Sequence, residues 1–175
     1  MEKTTANMAI TENIDWREVY DNLLPRVFHF FFYKVGDRFI AEELTAITFE
    51  KAWTSRKKYK RNLGAFQFWL FGIAQKVAAN HFRRSKNEIP LDSLNPPSNQ
   101  KIDREIESKA DAERLASILK ILSDRERLLV SLKYGAELNN REIARQTGLS
   151  ESNVGTILFR VVAKLRKEWE TIDGR

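Results

Sequence analysis

Cationic and aromatic side chains suited to binding nucleic acid are concentrated in residues 54–86. This basic block contains no Asp or Glu and nine cationic residues: Arg56, Lys57, Lys58, Lys60, Arg61, Lys76, Arg83, Arg84 and Lys86. Among them lie the aromatic residues Tyr59, Phe66, Phe68, Trp69, Phe71 and Phe82. Cations bind phosphates, and a ring that stacks on an unpaired base contributes about 1–3 kcal/mol. The block predicts binding of unstacked single strands, although several of these rings, Phe66 above all, would equally serve in a helix core.

A second candidate site lies in residues 141–169, where a Thr-Gly-Leu-Ser break separates a short helical pattern from a long one. Ser150 has the type and position of an N-cap, flanked by Leu149 and Val154 at the spacing of a hydrophobic staple. The predicted core stripe of the long helix is Val154, Leu158, Val161 and Leu165. The polar candidates off this stripe are Ser152, Asn153, Thr156, Arg160 and Lys164, with Arg141 on the preceding helix. Such groups bind base edges and phosphates when a helix-turn-helix enters the major groove. A plain helical hairpin with a solvated polar face would give the same pattern.

The residues that the chain lacks argue against other chemistries. There is no Cys, and the two His residues, His29 and His81, lie in different segments, so we expect no disulfide framework, no Cys-based zinc site and no His-based triad. A nuclease or recombinase needs a nucleophile or a carboxylate cluster for Mg²⁺, and the basic block carries no acid. We therefore expect no enzymatic activity, no catalytic residue, no metal and no cofactor.

Composition limits the class of protein further. The formal net charge of +6 favours an anionic partner, and 31% charged residues favour a soluble chain. Apolar runs fall short of the roughly 18 residues of a membrane span, and the N-terminal residues lack a signal-peptide pattern. These observations predict a cytoplasmic protein without membrane insertion.

Helices are the elements that must position these groups. Apolar residues recur at helical spacing from residue 15 to residue 86, with Pro25 as a predicted kink or boundary and residues 54–64 as a loop. The helix that follows this loop has a predicted core stripe of Phe66, Leu70, Ile73 and Val77. Its other candidate face carries Trp69, Lys76, Asn80 and Arg83. The loop and this face are therefore expected to form one surface.

An acidic helix precedes the basic block. Residues 37–50 carry a net charge of −3, since four acids, Asp37, Glu42, Glu43 and Glu50, oppose Arg38. We predict that Phe39, Leu44, Ile47 and residues 49–53 face inward and that the glutamates face outward. Paired acids usually form a solvated face, so a binding role needs further support.

A linker divides the chain. Pro90, Pro96 and Pro97 lie among Asn and Ser residues in the acidic residues 87–108. Beyond it, caps are predicted at Ser123-x-x-Glu126 and Asn139-x-x-Glu142, with a helix end at Gly135. No segment alternates with period two, so we predict no sheet. The fold class is all-α, with two small helical domains (residues 10–86 and 109–170) joined by a flexible linker, the C-terminal one a helix-turn-helix.

Three stretches in this order resemble bacterial RNA polymerase sigma factors of the sigma-70 type, specifically the small two-domain extracytoplasmic-function group. They are RFIAEELTAITFEKAW, FWLFGIAQKVAANHFRRSK and LKILSDRERLLVSLKYGAELNNREIARQTGLSESNVGTILFRVVAKLR. The resemblance spans about residues 20–166 and implies a non-enzymatic subunit that binds core RNA polymerase and directs promoter-specific transcription initiation. It also implies control by an anti-sigma factor.

The resemblance assigns roles by position. Glu42, Glu43 and Thr48 would dock on the polymerase clamp, while the linker would thread toward the active-site and RNA-exit region. The melted −10 element would be held by Tyr59, Lys60, Arg61, Asn62, Trp69, Lys76, Asn80, Arg83 and Arg84. The duplex −35 element would be read by Arg141, Ser152, Asn153, Thr156, Arg160 and Lys164.

Several positions depart from the family's usual residues. Glu43 replaces an Asp, Ala46 a Gln, and Lys76 and Asn80 replace an Asn and an Asp, which makes the basic helix more cationic. Ile157 stands where the family often carries Arg, which predicts an altered −35 preference. The alternative function is a stand-alone helix-turn-helix regulator, which would explain residues 141–167 but neither the basic block nor the acidic helix.

Overall fold

The computed structural model of the chain describes residues 14–60, 65–87 and 109–174. Its elements in chain order are α1 (Trp16–Val35), α2 (Arg38–Thr54), a 3₁₀ turn (Arg56–Lys58), α3 (Phe66–Ser85), α4 (Lys109–Leu119), α5 (Asp124–Val130), a π-helical segment (Ser131–Gly135), α6 (Asn140–Thr147) and α7 (Glu151–Asp173). Within these ranges every regular element is helical, which confirms the all-α prediction. The predicted linker lies outside the described residues. None of the helices described is both long and apolar enough to cross a bilayer.

Helix α1 continues through Pro25, so of the two predicted alternatives, a kink or a boundary, the boundary is wrong. The Asp15 side chain caps the helix by accepting hydrogen bonds from the Arg17 and Glu18 amides, and the helix ends at Gly36 in the left-handed region at φ 72°. A proline inside a helix costs about 3 kcal/mol because it removes one backbone hydrogen bond and crowds the preceding turn. Burial of the phenylalanine-rich half of α1 offsets this cost, with buried side chains at Val27, Phe28, Phe30, Phe31 and Phe32.

Capping boxes fix the start of two helices in the second domain, as the sequence predicts. The Ser123 hydroxyl accepts from the Glu126 amide, and the Glu126 carboxylate accepts from the Ser123 amide at 2.8 Å. Asn139 and Glu142 form the same reciprocal pair at the start of α6. Each box satisfies two amides that a helix start would otherwise leave without partners.

One hydrophobic core runs through both domains. It joins Phe28, Phe30 and Phe31 of α1 to Leu129 and Leu132 of α5 and the π-helical segment. The two domains therefore pack against each other, an arrangement that the linker did not predict.

Gly135 of the second domain lies directly against the backbone of α1. A Cβ atom there would lie 2.6 Å from the Phe30 amide nitrogen and 2.8 Å from the His29 carbonyl carbon. The helical segment ends at Gly135, as predicted. The glycine is required by this backbone-to-backbone contact, since only a residue without a side chain fits.

Candidate nucleic-acid interface

The exposed face of α3 is cationic. Its buried side consists of Leu70, Phe71, Ala74, Val77 and Ala78. The opposite side exposes the predicted residues Lys76, Asn80, Arg83 and Arg84 to solvent. Arg83 donates to the Asn80 side-chain oxygen at 3.1 Å, which holds the guanidinium over the helix surface. The helix thus presents ammonium, guanidinium and amide groups together, as a phosphate-binding surface requires.

Aromatic rings pack beside this face at the start of α3. Tyr59, Phe66 and Trp69 contact one another with ring centroids 5.3–5.5 Å apart. Tyr59 is only 5% exposed, so it braces the cluster rather than projecting from an open loop as predicted. The neighbouring predictions for Arg61 and Asn62 fall outside the described residues.

A cavity of about 290 Å³ opens between this aromatic cluster and α3. Its lining residues are Lys58, Tyr59, Lys60, Ala65, Phe68, Trp69, Gly72, Ile73, Lys76 and Gln146. Aromatic rings and three lysine ammonium groups among the lining residues suit a flat, unstacked base attached to phosphate. One of the lining residues, Gln146, belongs to α6 of the second domain.

Helix α7 presents the second polar face. Ser150 caps it by accepting from the Asn153 amide at 3.1 Å, and Gly148 turns the chain into it at φ 75°. Val154, Leu158 and Val161 are buried, as the predicted stripe requires, while Leu165 is partly buried. The exposed residues include the predicted Ser152, Asn153, Thr156 and Arg160. The orientation of the helix is therefore fixed with this set outward.

Two predicted cations near α7 already have acidic partners. Lys164 lies 3.4 Å from the Glu126 carboxylate, and Arg141 lies 3.6 Å from that of Glu151. The pKa of Glu126 is below its ordinary value, first because its carboxylate accepts a hydrogen bond from the Ser123 amide and further because of Lys164. Both cations remain largely exposed and able to exchange these acids for phosphates.

Sequence reasoning missed Phe159, which is 79% exposed on α7. The helical period places residue 159 away from the core stripe of α7, so the sequence pattern could have identified this ring as exposed. Together with Tyr134 it borders an open cavity of about 400 Å³ beside α7. The exposed rings of Phe159 and Tyr134 give the outer surface of the second domain an apolar patch.

The acidic helix α2 differs in part from the prediction. Glu43 is exposed, whereas Glu42 is bound by Arg38 at 3.1 Å. Thr48 is fully buried and donates to the Leu44 carbonyl at 2.8 Å, so its side chain is not on the docking face. The inward prediction for residue 53 is wrong, because the Trp53 ring is 48% exposed.

Trp53 is held at the surface by neighbouring side chains. Its ring packs edge-on against Trp16 at 5.2 Å and under the Arg56 guanidinium at 4.0 Å. Among the residues that the structure describes, no group of three or more His, Asp or Glu side chains could hold a metal ion.

Comparison with known proteins assigns the segments that carry both faces to one family. The Sigma-70 region 2 model matches residues 19–88, and the Sigma-70, region 4 model matches residues 118–167, so that together they cover more than half of the chain. The boundary between the two matches falls at the predicted linker.

Two relatives match over most of the chain. The ECF RNA polymerase sigma factor SigM of Bacillus subtilis is 27% identical over 85% of this chain and 91% of its own length. The ECF RNA polymerase sigma factor BldN of Streptomyces coelicolor is 27% identical over 85% of this chain, which spans 58% of that longer protein.

Solved structures share the fold. The sigma factor RpoE of Bartonella quintana, in complex with the anti-sigma factor NepR, aligns with a TM-score of 0.70 at 18% identity over 89% of this chain and 97% of its own. CnrH, in complex with the cytosolic domain of CnrY, aligns with a TM-score of 0.64 at 17% identity over 94% and 95%.

Proposed function

This chain belongs to the sigma-70 family of RNA polymerase sigma factors, in the extracytoplasmic-function group, and we propose how its two domains divide promoter recognition between them. As a sigma factor it directs promoter-specific transcription initiation with core RNA polymerase. The proposal rests on one observation: the same chain has a cationic face beside an aromatic cavity and, separately, an exposed recognition helix.

The first domain, residues 10–86, holds the melted −10 element. The cavity beside Trp69 takes an extruded base, and Lys76, Asn80, Arg83 and Arg84 bind the backbone of the same strand. Stacking and phosphate contacts tolerate many sequences but require single strands. This chemistry suits capture of a strand as it separates from its partner.

The second domain, residues 109–170, reads the −35 element as duplex DNA. Asn153 and Ser152 lie in the first turn of α7, the end of a recognition helix that approaches base edges. Arg160, Lys164 and Arg141 flank them and bind phosphates. A stand-alone helix-turn-helix regulator would use this domain alone and would leave the cationic face of α3 without a role.

Polymerase docking is assigned to the acidic side of α2. Exposed Glu43, with Glu42 beside it, meets basic groups on the polymerase clamp, while buried Thr48 supports the helix from within. The protein acts in the cytoplasm, where the polymerase is. We include an anti-sigma factor among its partners because the solved structure of RpoE is a complex with the anti-sigma factor NepR.

Binding to core polymerase separates this function from the stand-alone regulator, which does not require the enzyme. Glu42→Lys combined with Glu43→Lys should weaken core affinity at least tenfold, because like charges replace opposite ones. Glu50→Lys is the control for the single variant Glu43→Lys, since both residues are exposed acids on the same helix and the charge changes are equal. Equal core affinity of the double variant and the parent, with unchanged circular dichroism, would refute the docking assignment. Failure of the parent to bind core or to start transcription would refute the function.

A further inference from the structure

Trp53, in the last turn of α2, presents a large ring at the surface of the first domain, where it is 48% exposed. Trp16 packs against this ring with the two centroids 5.2 Å apart, and the Arg56 guanidinium lies 4.0 Å from the ring centroid. Arg56 also donates to the Trp53 carbonyl at 2.8 Å, which fixes the guanidinium in place. The ring is therefore held in one orientation while about half of the residue's surface stays open to a ligand.

A continuous row of aromatic rings connects Trp53 with the cavity beside Trp69. Trp16 contacts both Trp53 and Phe66, with ring centroids 5.2 and 5.4 Å apart. Phe66 in turn contacts Trp69 at 5.3 Å. Three ring-to-ring steps thus separate the exposed ring from the cavity that we assign to an extruded base. OB-fold domains that bind single strands hold roughly 4–16 nucleotides each, so one strand is long enough to reach both places.

The chain that leads from Trp53 to the cavity is cationic. Residues 51–60 contain five Lys or Arg residues and no acid, and the nearest acid before them is the exposed Glu50. The 3₁₀ turn Arg56–Lys58 follows Trp53 in the chain, and Lys58 and Lys60 line the cavity. A strand that runs from the cavity to Trp53 passes beside this turn, where guanidinium and ammonium groups can bind its phosphates.

We propose that Trp53 and Arg56 form a second stacking site for the melted strand, which takes an unpaired base other than the one held in the cavity beside Trp69. The proposal rests on the proposed function, because it requires a melted strand in that cavity. Every base has a face that stacks on an aromatic ring, so this site adds affinity without sequence preference. Lysine is depleted in protein–protein interfaces, whereas Lys57 and Lys58 are exposed close to this ring, which favours nucleic acid as the occupant.

The affinity of the holoenzyme for a single strand tests the site. The probe is a fluorescent strand of about 16 nucleotides that the holoenzyme selects from a randomised pool. Trp53→Ala should lower affinity for this strand about tenfold, as expected for the loss of one stacked base, whereas Trp53→Phe keeps a ring and should retain most of the affinity. Tyr134→Ala is the matched control, because Tyr134 is 47% exposed in the second domain and its loss should leave strand affinity unchanged.

Photo-cross-linking gives a second measurement that needs no variant. 5-Iododeoxyuridine is placed at each position of the same strand in turn, and the holoenzyme complex is irradiated and analysed by mass spectrometry. We expect Trp53 to be linked from one position and the cavity residue Trp69 from a different one. Cross-links to the cavity residues with none to Trp53 from any position would overturn the second site.

Core affinity and folding are measured for the same variants. Loss of core affinity by Trp53→Ala, with strand affinity unchanged at saturating core, would assign the ring to polymerase docking and overturn the proposal. Equal strand affinity of Trp53→Ala and the parent would also overturn it. Where Trp53→Ala does not fold, Arg56→Ala leaves both tryptophans in place and should lower strand affinity severalfold; an unchanged affinity overturns the proposal. A parent that neither binds core nor starts transcription refutes the proposed function instead.

Discussion

The exposed faces of α3 and α7 differ in how their charges are compensated. On α3 the near neighbour of Arg83 is the neutral side chain of Asn80, and Lys76 stands exposed at the cavity rim. Around α7, Lys164 and Arg141 each face a carboxylate. Two surfaces assigned to the same nucleic acid thus differ in chemistry.

The difference corresponds to two modes of binding. An uncompensated cationic face gains affinity by releasing counterions from phosphates, which is strongly salt-dependent and insensitive to sequence. On α7 two of the three assigned cations, Lys164 and Arg141, are already paired, so this face gains less from charge. Its selectivity therefore depends on neutral groups such as Asn153 and Ser152. Capture of a melted strand and recognition of a duplex sequence are accordingly assigned to separate domains.

Charge reversal on α3 should produce the largest effect. Lys76→Glu, Arg83→Glu and Arg84→Glu together should lower affinity of the holoenzyme for −10 single strands by roughly two orders of magnitude at low salt. The salt slope should fall by about 0.7 for each phosphate that the protein no longer neutralises. Titration by fluorescence anisotropy at several salt concentrations measures both.

A matched charge control separates this surface effect from net charge. Lys109→Glu, Lys120→Glu and Arg125→Glu change the total charge equally at exposed positions of the second domain. If both triple variants lose the same affinity, the α3 face has no special role and the two modes of binding are not distinct.

Asn153→Ala should change which bases are preferred rather than how much DNA is bound. An amide that pairs with one base contributes about 1–3 kcal/mol of discrimination, so its loss relaxes preference at one −35 position. Selection from a randomised −35 pool with the reconstituted holoenzyme measures this. An unchanged consensus would leave Asn153 with a positioning role only.

Lys164→Ala should have a smaller effect, on overall affinity for DNA rather than on base preference. Removing one cation that binds phosphate weakens binding to all sequences alike, and the Glu126 carboxylate already competes for this cation. We expect affinity to fall about threefold with the −35 consensus retained. A changed consensus would show that Lys164 contacts bases, so that α7 would not rely on neutral groups alone.

The smallest effect concerns acid stability at the Ser123 cap. The folded-state pKa of Glu126 is lowered, chiefly by the Ser123 amide, so its contribution is complete above the ordinary glutamate pKa of about 4.3 and is lost as pH falls through the lowered value. The parent should exceed Glu126→Gln in free energy of unfolding at pH 7 by under about 1 kcal/mol, since the Glu126 side chain is partly exposed and solvent screens its interactions. Urea denaturation at pH 7 and pH 3 should show this difference becoming smaller at the lower pH. A difference of the same size at both pH values would attribute it to packing rather than charge.

Local signals predicted most of the helices and the polar residues exposed on α7, but not the exposed Phe159 on the same helix. Ser123, Asn139 and Ser150 cap helices where predicted, because a capping side chain bonds amides within three residues and needs no distant partner. The outward set on α7 followed from the period of its apolar stripe. Residues whose environment depends on other helices were less predictable: Tyr59 packs inward, Trp53 lies outward and Pro25 remains within α1.

By itself, then, the sequence determined the helical composition, the helix-turn-helix, the concentration of cations on α3 and the family to which the chain belongs. Tertiary structure alone decided that Gly135 meets the α1 backbone and that Gln146 closes the cavity beside Trp69. The reason is physical. Caps and periodicity act between residues a few positions apart, whereas the contact of Gly135 in the π-helical segment with Phe30 in α1 joins positions more than a hundred residues apart. No local pattern encodes such a contact, because it depends on how two already formed helical surfaces fit together.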